Sequence, residues 1–113
     1  MVRVLVTVEP RMYREAIALA VQSNRPEAEV MLVSEEVMDG QVKEFAPHVL
    51  VRNDFDRAIP EELLSSVVCR MEVLYTDGMA ARVSVGGSTY TIEDATIEDL
   101  LALVDEAEGL VSG

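Results

Sequence analysis

The spacing of apolar residues changes along the chain, and each spacing predicts a different element of structure. Residues 2–8 are mostly apolar and β-branched, which is typical of a strand covered on both faces of a sheet. A helix is predicted to open at Glu9-Pro10, because proline is tolerated in a first turn, where its missing N–H is not needed. Four side chains of this helix share one face at helical spacing: Tyr13, Ile17, Ala20 and Val21.

Two further strands follow in alternation with a second helix. The predicted strands are Glu29–Ser34 and His48–Asn53, and the predicted helix Glu35–Ala46 lies between them and is stopped by Pro47. The order strand, helix, strand, helix, strand predicts parallel strands joined by right-handed crossovers. Residues 54–68 are predicted as a loop with one short helix that starts near Pro60.

The pattern then changes to short strands with no room for a helix between them. The predicted strands are Arg70–Thr76, Ala80–Val85 and Ser88–Ile92. Gly86-Gly87 between the last two is a strong signal for a two-residue hairpin. These three strands therefore predict an antiparallel meander.

A last helix is predicted after Thr96, with Asp99 three residues further on to complete its cap. Gly109 is the predicted end of this helix. Leu103 lies off the predicted buried stripe, so the helix has more apolar width than one core face needs. A homodimer through this helix is therefore expected. The stripe itself consists of Ile97, Leu100, Leu101, Val104 and Ala107.

Taken together, the pattern predicts one α/β domain over residues 1–113. Its expected architecture is a three-layer sheet, with a parallel N-terminal βαβαβ unit followed by an antiparallel meander and a C-terminal helix.

Composition narrows the function classes. Of the 113 residues, half are hydrophobic, and the net charge is −12; residues 58–113 carry two Lys/Arg and eleven Asp/Glu, a net charge of −9. Such a surface repels a phosphate backbone, so no nucleic-acid partner is expected. No apolar run approaches a membrane span, no signal-peptide pattern stands at the start, and Cys69 is the single cysteine. We therefore expect a cytoplasmic protein without a membrane partner.

Two stretches carry a resemblance to a known family. RVLVTVEPRMYREAI (Arg3–Ile17) joins an apolar strand to a helix that contains Arg14-Glu15, and APHVLVRND (Ala46–Asp54) places a proline before another apolar strand. On these stretches the chain from Val2 to about Asn53 resembles the receiver domain of bacterial response regulators. The resemblance implies a flavodoxin-like fold for this part and a role in signal transduction. Receivers alternate strand and helix to their end, whereas this chain is predicted to finish with a meander.

The family's functional positions can be carried over one by one. In receivers two acids at the end of the first strand help to bind magnesium, an aspartate on the third strand takes the phosphoryl group, and a hydroxyl and a lysine on later strands contact that group. Here the two acid positions hold Val8 and Glu9, the acceptor position holds Asn53, and Thr76 is the candidate hydroxyl. The lysine has no counterpart. Because a carboxamide is not a nucleophile, the resemblance implies a pseudo-receiver that is not phosphorylated at the usual place.

Asp54 follows the acceptor position directly. A step of one residue along a strand points the side chain to the opposite face, so Asp54 would replace Asn53 only if the strand slipped or ended early. Glu9 alone supplies one carboxylate, which is a weak magnesium site unless a ligand phosphate joins it. No catalytic residue, metal or cofactor is predicted.

Other reactive residues have simpler interpretations. Cys69 is expected to be a small buried side chain, and His48 is expected to have a role at the surface or at a strand edge. The glycine-rich segment around Gly86 is predicted as a hairpin turn and not as a phosphate cradle.

The expected function is thus a protein-interaction or regulatory module in signalling, and not an enzyme, with a protein partner or a second copy of the chain. The alternative is binding of a small molecule or nucleotide at the carboxyl ends of the parallel strands, where open α/β sheets place their ligands. Glu9, Asn53, Asp54 and Thr76 would line that site.

Overall fold

One six-stranded sheet organises the chain, with the strand order β2-β1-β3-β4-β5-β6. The computed structural model describes residues 2–8, 11–33, 40–53, 65–76 and 78–112. The strands are β1 (Arg3–Val6), β2 (Glu29–Leu32), β3 (Val49–Asn53), β4 (Cys69–Thr76), β5 (Gly78–Val85) and β6 (Ser88–Ile92). The helices are α1 (Arg11–Asn24), α2 (Gly40–Phe45) and α3 (Ile97–Ser112).

The parallel part of the sheet contains four strands. β1 pairs in parallel with β2 on one side and with β3 on the other, as the βαβαβ pattern predicts. β4 is also parallel to β3, with Val49 opposite Cys69 and Asn53 opposite Val73. The segment between β3 and β4 falls largely outside the described residues, and so does the helix that was predicted near Pro60.

The antiparallel meander is confirmed. β4 pairs antiparallel with β5, and β5 pairs antiparallel with β6 through a two-residue turn at Gly86-Gly87. Gly86 has a φ of 60°, as expected for glycine at the first central position of a hairpin turn. Its N–H donates to the carbonyl of Val68 over 3.1 Å, which ties the turn to the start of β4.

Alternation along the strands divides the core into two layers. Val4 and Val6 of β1 pack in the main cluster together with residues of α1 and α3. Leu5, which lies between them, packs in a smaller cluster with Val42 of α2 and Leu50 of β3. Because adjacent strand residues point to opposite faces, α1 and α3 cover one face of the sheet and α2 covers part of the other. The predicted three-layer α/β architecture is confirmed.

The predicted core face of α1 is only partly right. Val21 is buried and Ile17 packs against the core, but Tyr13 is half exposed and Ala18 is buried in its place. The true core face is therefore turned by part of a helical turn from the predicted one. Because α1 carries apolar residues around most of its circumference, the sequence pattern alone does not fix which face is buried. The position of the sheet decides which face of α1 enters the core.

The cap of α3 is as predicted, but its buried width and its end are not. The Thr96 N–H donates to Oδ2 of Asp99 over 2.8 Å, which completes the N-terminal cap. Leu103 is 3 % exposed and packs in the main core cluster, so α3 buries a wider arc than the predicted stripe. Gly109 lies within the helix, which continues to Ser112, and Ile97 is 37 % exposed. No described helix has the length and apolar character needed to cross a membrane.

Candidate functional site

The carboxyl edge of the parallel strands is closely packed around β1 and β3. Thr7 and Val8, which follow β1, are buried, and the Thr7 N–H donates to the carbonyl of Val51 over 2.9 Å. The Thr7 hydroxyl donates to the same carbonyl over 3.4 Å. Arg14 of α1 reaches back to the carbonyl of Val8 over 3.5 Å. The edge is therefore held by polar contacts between β1, β3 and α1.

Asn53 is the one predicted site residue whose side chain the structure describes. It ends β3, is 3 % exposed and lies opposite Val73 of β4. Thr76 ends β4 three residues beyond Val73, which at ~3.3 Å per residue is ~10 Å further along the strand. Glu9 and Asp54 lie outside the described residues. The grouping of these four residues therefore stays a prediction.

An apolar cleft lies beside this edge, between α1, α3 and β3–β5. Its volume is about 230 Å³, and the first turn of α3 forms one of its walls. The walls carry apolar side chains almost throughout, so the cleft suits an apolar group better than a phosphate. The residues that line it include Ile17, Val51, Met71, Val73, Ala81 and Leu100.

The thiol of Cys69 is placed in the core. Its side chain is fully buried at the start of β4, and burial raises the pKa of the thiol to about 11, with a smaller contribution from Glu106. A thiol with this pKa is almost fully protonated at neutral pH and is therefore a poor nucleophile. The prediction of a buried small side chain is confirmed.

The imidazole of His48 is also held inside the fold, so of the two predicted roles, at the surface or at a strand edge, the surface role was wrong. His48 is buried next to Arg3, and its Nδ1 accepts the Arg3 N–H over 3.0 Å. Burial lowers the pKa of His48, and the positive charge of Arg3 lowers it further. The histidine therefore has a structural role at the amino-terminal end of the sheet.

Two surfaces were missed by the sequence reasoning. The outward side of α1 exposes Met12 and Leu19, two apolar residues that lie outside the predicted core face of this helix. The α2 side of β4 and β5 carries Arg70, Glu72 and Arg82, which alternate with core residues. The strand alternation was visible in the sequence, but which polar residues become neighbours depends on the strand register.

Comparison with known proteins places the fold but no function. No family model and no curated protein sequence matches the chain. Among solved structures it is similar to methionyl-tRNA formyltransferase from Clostridium thermocellum, with a TM-score of 0.54 and 9 % sequence identity. The match covers 99 % of this chain and 63 % of that chain, so the chain spans less than two thirds of that structure.

At 9 % identity this similarity defines the fold class alone. The chain has a Rossmann-like α/β fold, in which a parallel half of the sheet continues into an antiparallel meander. Its first five strands follow the order 2-1-3-4-5 of flavodoxin-like sheets, but β5 is reversed.

Proposed function

We propose that the chain is a receiver-like domain that acts by contact with a protein partner, and not by accepting a phosphoryl group. The observation that carries this proposal is that Asn53, which the sequence resemblance aligns with the acceptor aspartate of receivers, is a buried carboxamide. A receiver forms an acyl phosphate on the carboxylate of its aspartate, and the carboxamide of an asparagine cannot form one. The scaffold would then serve for recognition.

The environment of the other reactive side chains supports a binding function. Cys69 is a buried thiol with a raised pKa, and His48 accepts a backbone hydrogen bond inside the fold. Within the described ranges, no group of three or more His, Cys, Asp or Glu is placed to hold a metal ion. Cys69 and His48 are thus held within the fold and are not presented as a nucleophile or a general base.

The surface that suits a partner is the outer face of α1, defined here as Met12, Tyr13, Ala16 and Leu19. Met12 is 67 % exposed and Leu19 is 66 % exposed, on the side of α1 that faces away from the core. Large apolar side chains grouped on one exposed helix face mark interaction sites. An ion pair between Arg11 and Glu15, 2.9 Å long, borders this face.

The neighbouring helix indicates the chemistry of the partner. α3 lies on the same side of the sheet and exposes Glu98, Asp105 and Glu106, of which Asp105 pairs with Arg25 at the end of α1. An apolar surface next to an acidic one is complementary to a protein segment that carries apolar side chains flanked by Lys or Arg. A second copy of the chain, with its own net charge of −12, would have to overcome electrostatic repulsion.

Site-specific photo-crosslinking in cells tests this surface. A photoreactive amino acid at Leu19 should give one discrete adduct, and the same amino acid at Ala102 on the outer side of α3 should give less of it. The substitution Met12→Glu should abolish the Leu19 adduct without lowering the melting temperature. Mass spectrometry identifies the partner, and an adduct of two copies would replace the proposed basic partner with a homodimer.

A second candidate function rests on the apolar cleft at the carboxyl edge. This cleft of about 230 Å³ favours a small molecule with an apolar group at the edge where open α/β sheets bind ligands. A thermal-shift screen with short fatty acids and nucleotides distinguishes the ligand classes. This function would be favoured if an apolar ligand stabilised the wild type and failed to stabilise Ala95→Leu, in which the added side chain narrows the cleft.

A further inference from the structure

We propose that a polar cleft between the start of β4 and the β5–β6 hairpin binds a small oxyanion, either a phosphate or a carboxylate group, through Arg70. This hairpin cleft has a volume of about 260 Å³ and is lined mainly by polar groups. It lies near the amino-terminal end of β4, away from the carboxyl edge, and is therefore independent of the proposed function. The residues that define it are Arg70, Glu72, Ser84, Gly86, Gly87 and Thr89.

The register of three strands builds the floor of the cleft. Arg70 of β4 lies directly opposite Ser84 of β5, and Ser84 lies directly opposite Thr89 of β6. Residues that are directly opposite in a sheet share one face, and neighbouring strands are ~4.8 Å apart. The three side chains therefore form one row across the sheet. The residues on either side of Arg70, Cys69 and Met71, point to the opposite face and pack in the main core.

The charges around the cleft leave Arg70 available. Arg70 is half-buried and makes no hydrogen bond or ion pair with the part of the chain that the structure describes. Glu72, which also lines the cleft, lies 3.8 Å from Arg82, and its register partner on β3 is Arg52. In a chain with nine Lys/Arg and a net charge of −12, the described part of β3–β5 carries three arginines and one glutamate on this face.

The donors that remain match one oxyanion. The Ser84 and Thr89 hydroxyl oxygens are 3.2 Å apart, so one hydroxyl donates to the other and one O–H is left for a ligand. The Gly86 N–H is already used by Val68. The guanidinium of Arg70 supplies two parallel N–H groups, a geometry that fits the two oxygens of a carboxylate or phosphate.

The size and charge of the cleft select a compact ligand. A cavity of about 260 Å³ is larger than a single bound water requires and can admit a small anion. The strongly acidic surface elsewhere repels extended polyanions such as nucleic acid. A single phosphate or carboxylate group on a small molecule is therefore the ligand class.

Titration with simple anions tests the proposal. Inorganic phosphate and acetate are each added to the ¹⁵N-labelled protein at low ionic strength, with chloride as the control anion. We expect saturable shifts of the Gly87 amide and the Arg70 Nε–H signals with at least one of the two anions, and none with chloride. A response to phosphate alone would identify the ligand as a phosphate ester, and a response to acetate alone would identify it as a carboxylate. A response to both would show that the cleft binds either oxyanion.

Three variants separate the cleft from general charge effects. Arg70→Gln should weaken binding tenfold or more, and the double change Ser84→Ala, Thr89→Ala should weaken it several-fold with Arg70 still present. Arg11→Gln removes one charge from an exposed helix surface outside the cleft and should leave binding unchanged. The absence of a saturable response to both anions, or an equal loss in Arg11→Gln, would overturn the proposal.

Discussion

Arg3 and His48 join the amino-terminal ends of β1 and β3 through two hydrogen bonds. The Arg3 N–H donates to His48 Nδ1 over 3.0 Å, and the His48 N–H donates to the Arg3 carbonyl over 2.8 Å. The guanidinium Nη2 of Arg3 also lies 3.1 Å from His48 Nε2. Because Nδ1 accepts, the neutral ring carries its proton on Nε2, so this approach is not a further hydrogen bond. A proton on Nδ1 would break the first of these bonds, and a positive imidazolium would face the positive guanidinium. The fold therefore favours the neutral histidine.

This arrangement predicts how stability depends on pH. The pKa of His48 is lowered in the folded chain, mainly by burial, from its ordinary value of 6.5. At a pH between the folded and the unfolded pKa of His48, the unfolded chain binds more protons than the folded chain. The free energy of unfolding should therefore fall as the pH drops below about 6.5, and the contribution of His48 should be complete above that pH. Urea unfolding at several pH values between 5 and 8 measures this slope.

His48→Asn provides the control, because it removes the titrating group from the same position. The variant should lose the part of the slope that lies just below pH 6.5, while the slope caused by carboxylates at lower pH stays. An identical pH profile in both proteins would contradict the assignment of the slope to His48.

The two glycines of the hairpin should respond differently to alanine. Gly86 has a φ of 60°, a conformation that costs an L-residue about 1–2 kcal/mol, and Gly87 has open space where a Cβ would be added and no positive φ. Gly86→Ala should therefore lower the free energy of unfolding by about 1–2 kcal/mol. Gly87→Ala should change it by less than about 0.5 kcal/mol. Chemical denaturation measures both, and equal losses would mean that the turn has another geometry.

Two leucines of α3 should differ in the same way. Leu103 is 3 % exposed in the core, whereas Leu110 is 54 % exposed near the end of the helix. Leu103→Ala should destabilise the chain by about 2–5 kcal/mol, because it removes buried methyl groups and leaves a cavity. Leu110→Ala should cost less than about 0.5 kcal/mol. A small effect at Leu103 would place it on an exposed or shared surface of α3.

The ion pair between Arg25 and Asp105 connects the end of α1 to α3. Its two N–O distances are both 2.7 Å, and the hydrogen bond from Arg25 lowers the pKa of Asp105 from its ordinary value of 3.8. The stabilisation from this carboxylate is present above about pH 3.8 and is lost as the pH falls through its lowered pKa.

An NMR titration of the Asp105 side chain checks this pair directly. Arg25→Gln should raise the pKa of Asp105 towards its ordinary value, and Arg11→Gln should leave it unchanged. If Asp105 titrated at the same pH in the wild type and in Arg25→Gln, the pair would not form in solution.

Local patterns in the sequence were enough for much of the fold. The first apolar strand, the Gly86-Gly87 turn and the Thr96–Asp99 cap each depend on a few neighbouring residues. The structure contains all three, with the strand limited to Arg3–Val6 of the predicted residues 2–8. Such features are set by short-range backbone and side-chain physics. The parallel pairing of β4 with β3 is a long-range choice that no local pattern specified.

Features that depend on neighbours in space were missed. Leu103 is buried in the main core cluster although it lies off the predicted stripe, and the row of Arg70, Ser84 and Thr89 exists because three strands pair in one register. For the candidate site, the sequence correctly placed Asn53 at the end of a buried strand. The distance between Asn53 and Thr76 along the sheet could be known only once the β3–β4 register was known.

The central claim is that this domain acts by contact and is not phosphorylated at the end of β3. The most direct measurement is the intact mass of the protein after incubation with acetyl phosphate and Mg²⁺, next to an active receiver domain as the positive control. We predict that the control gains a phosphoryl group and that this chain keeps its original mass. A phosphoryl group on this chain, mapped by peptide sequencing to residues 53–54, would contradict the account.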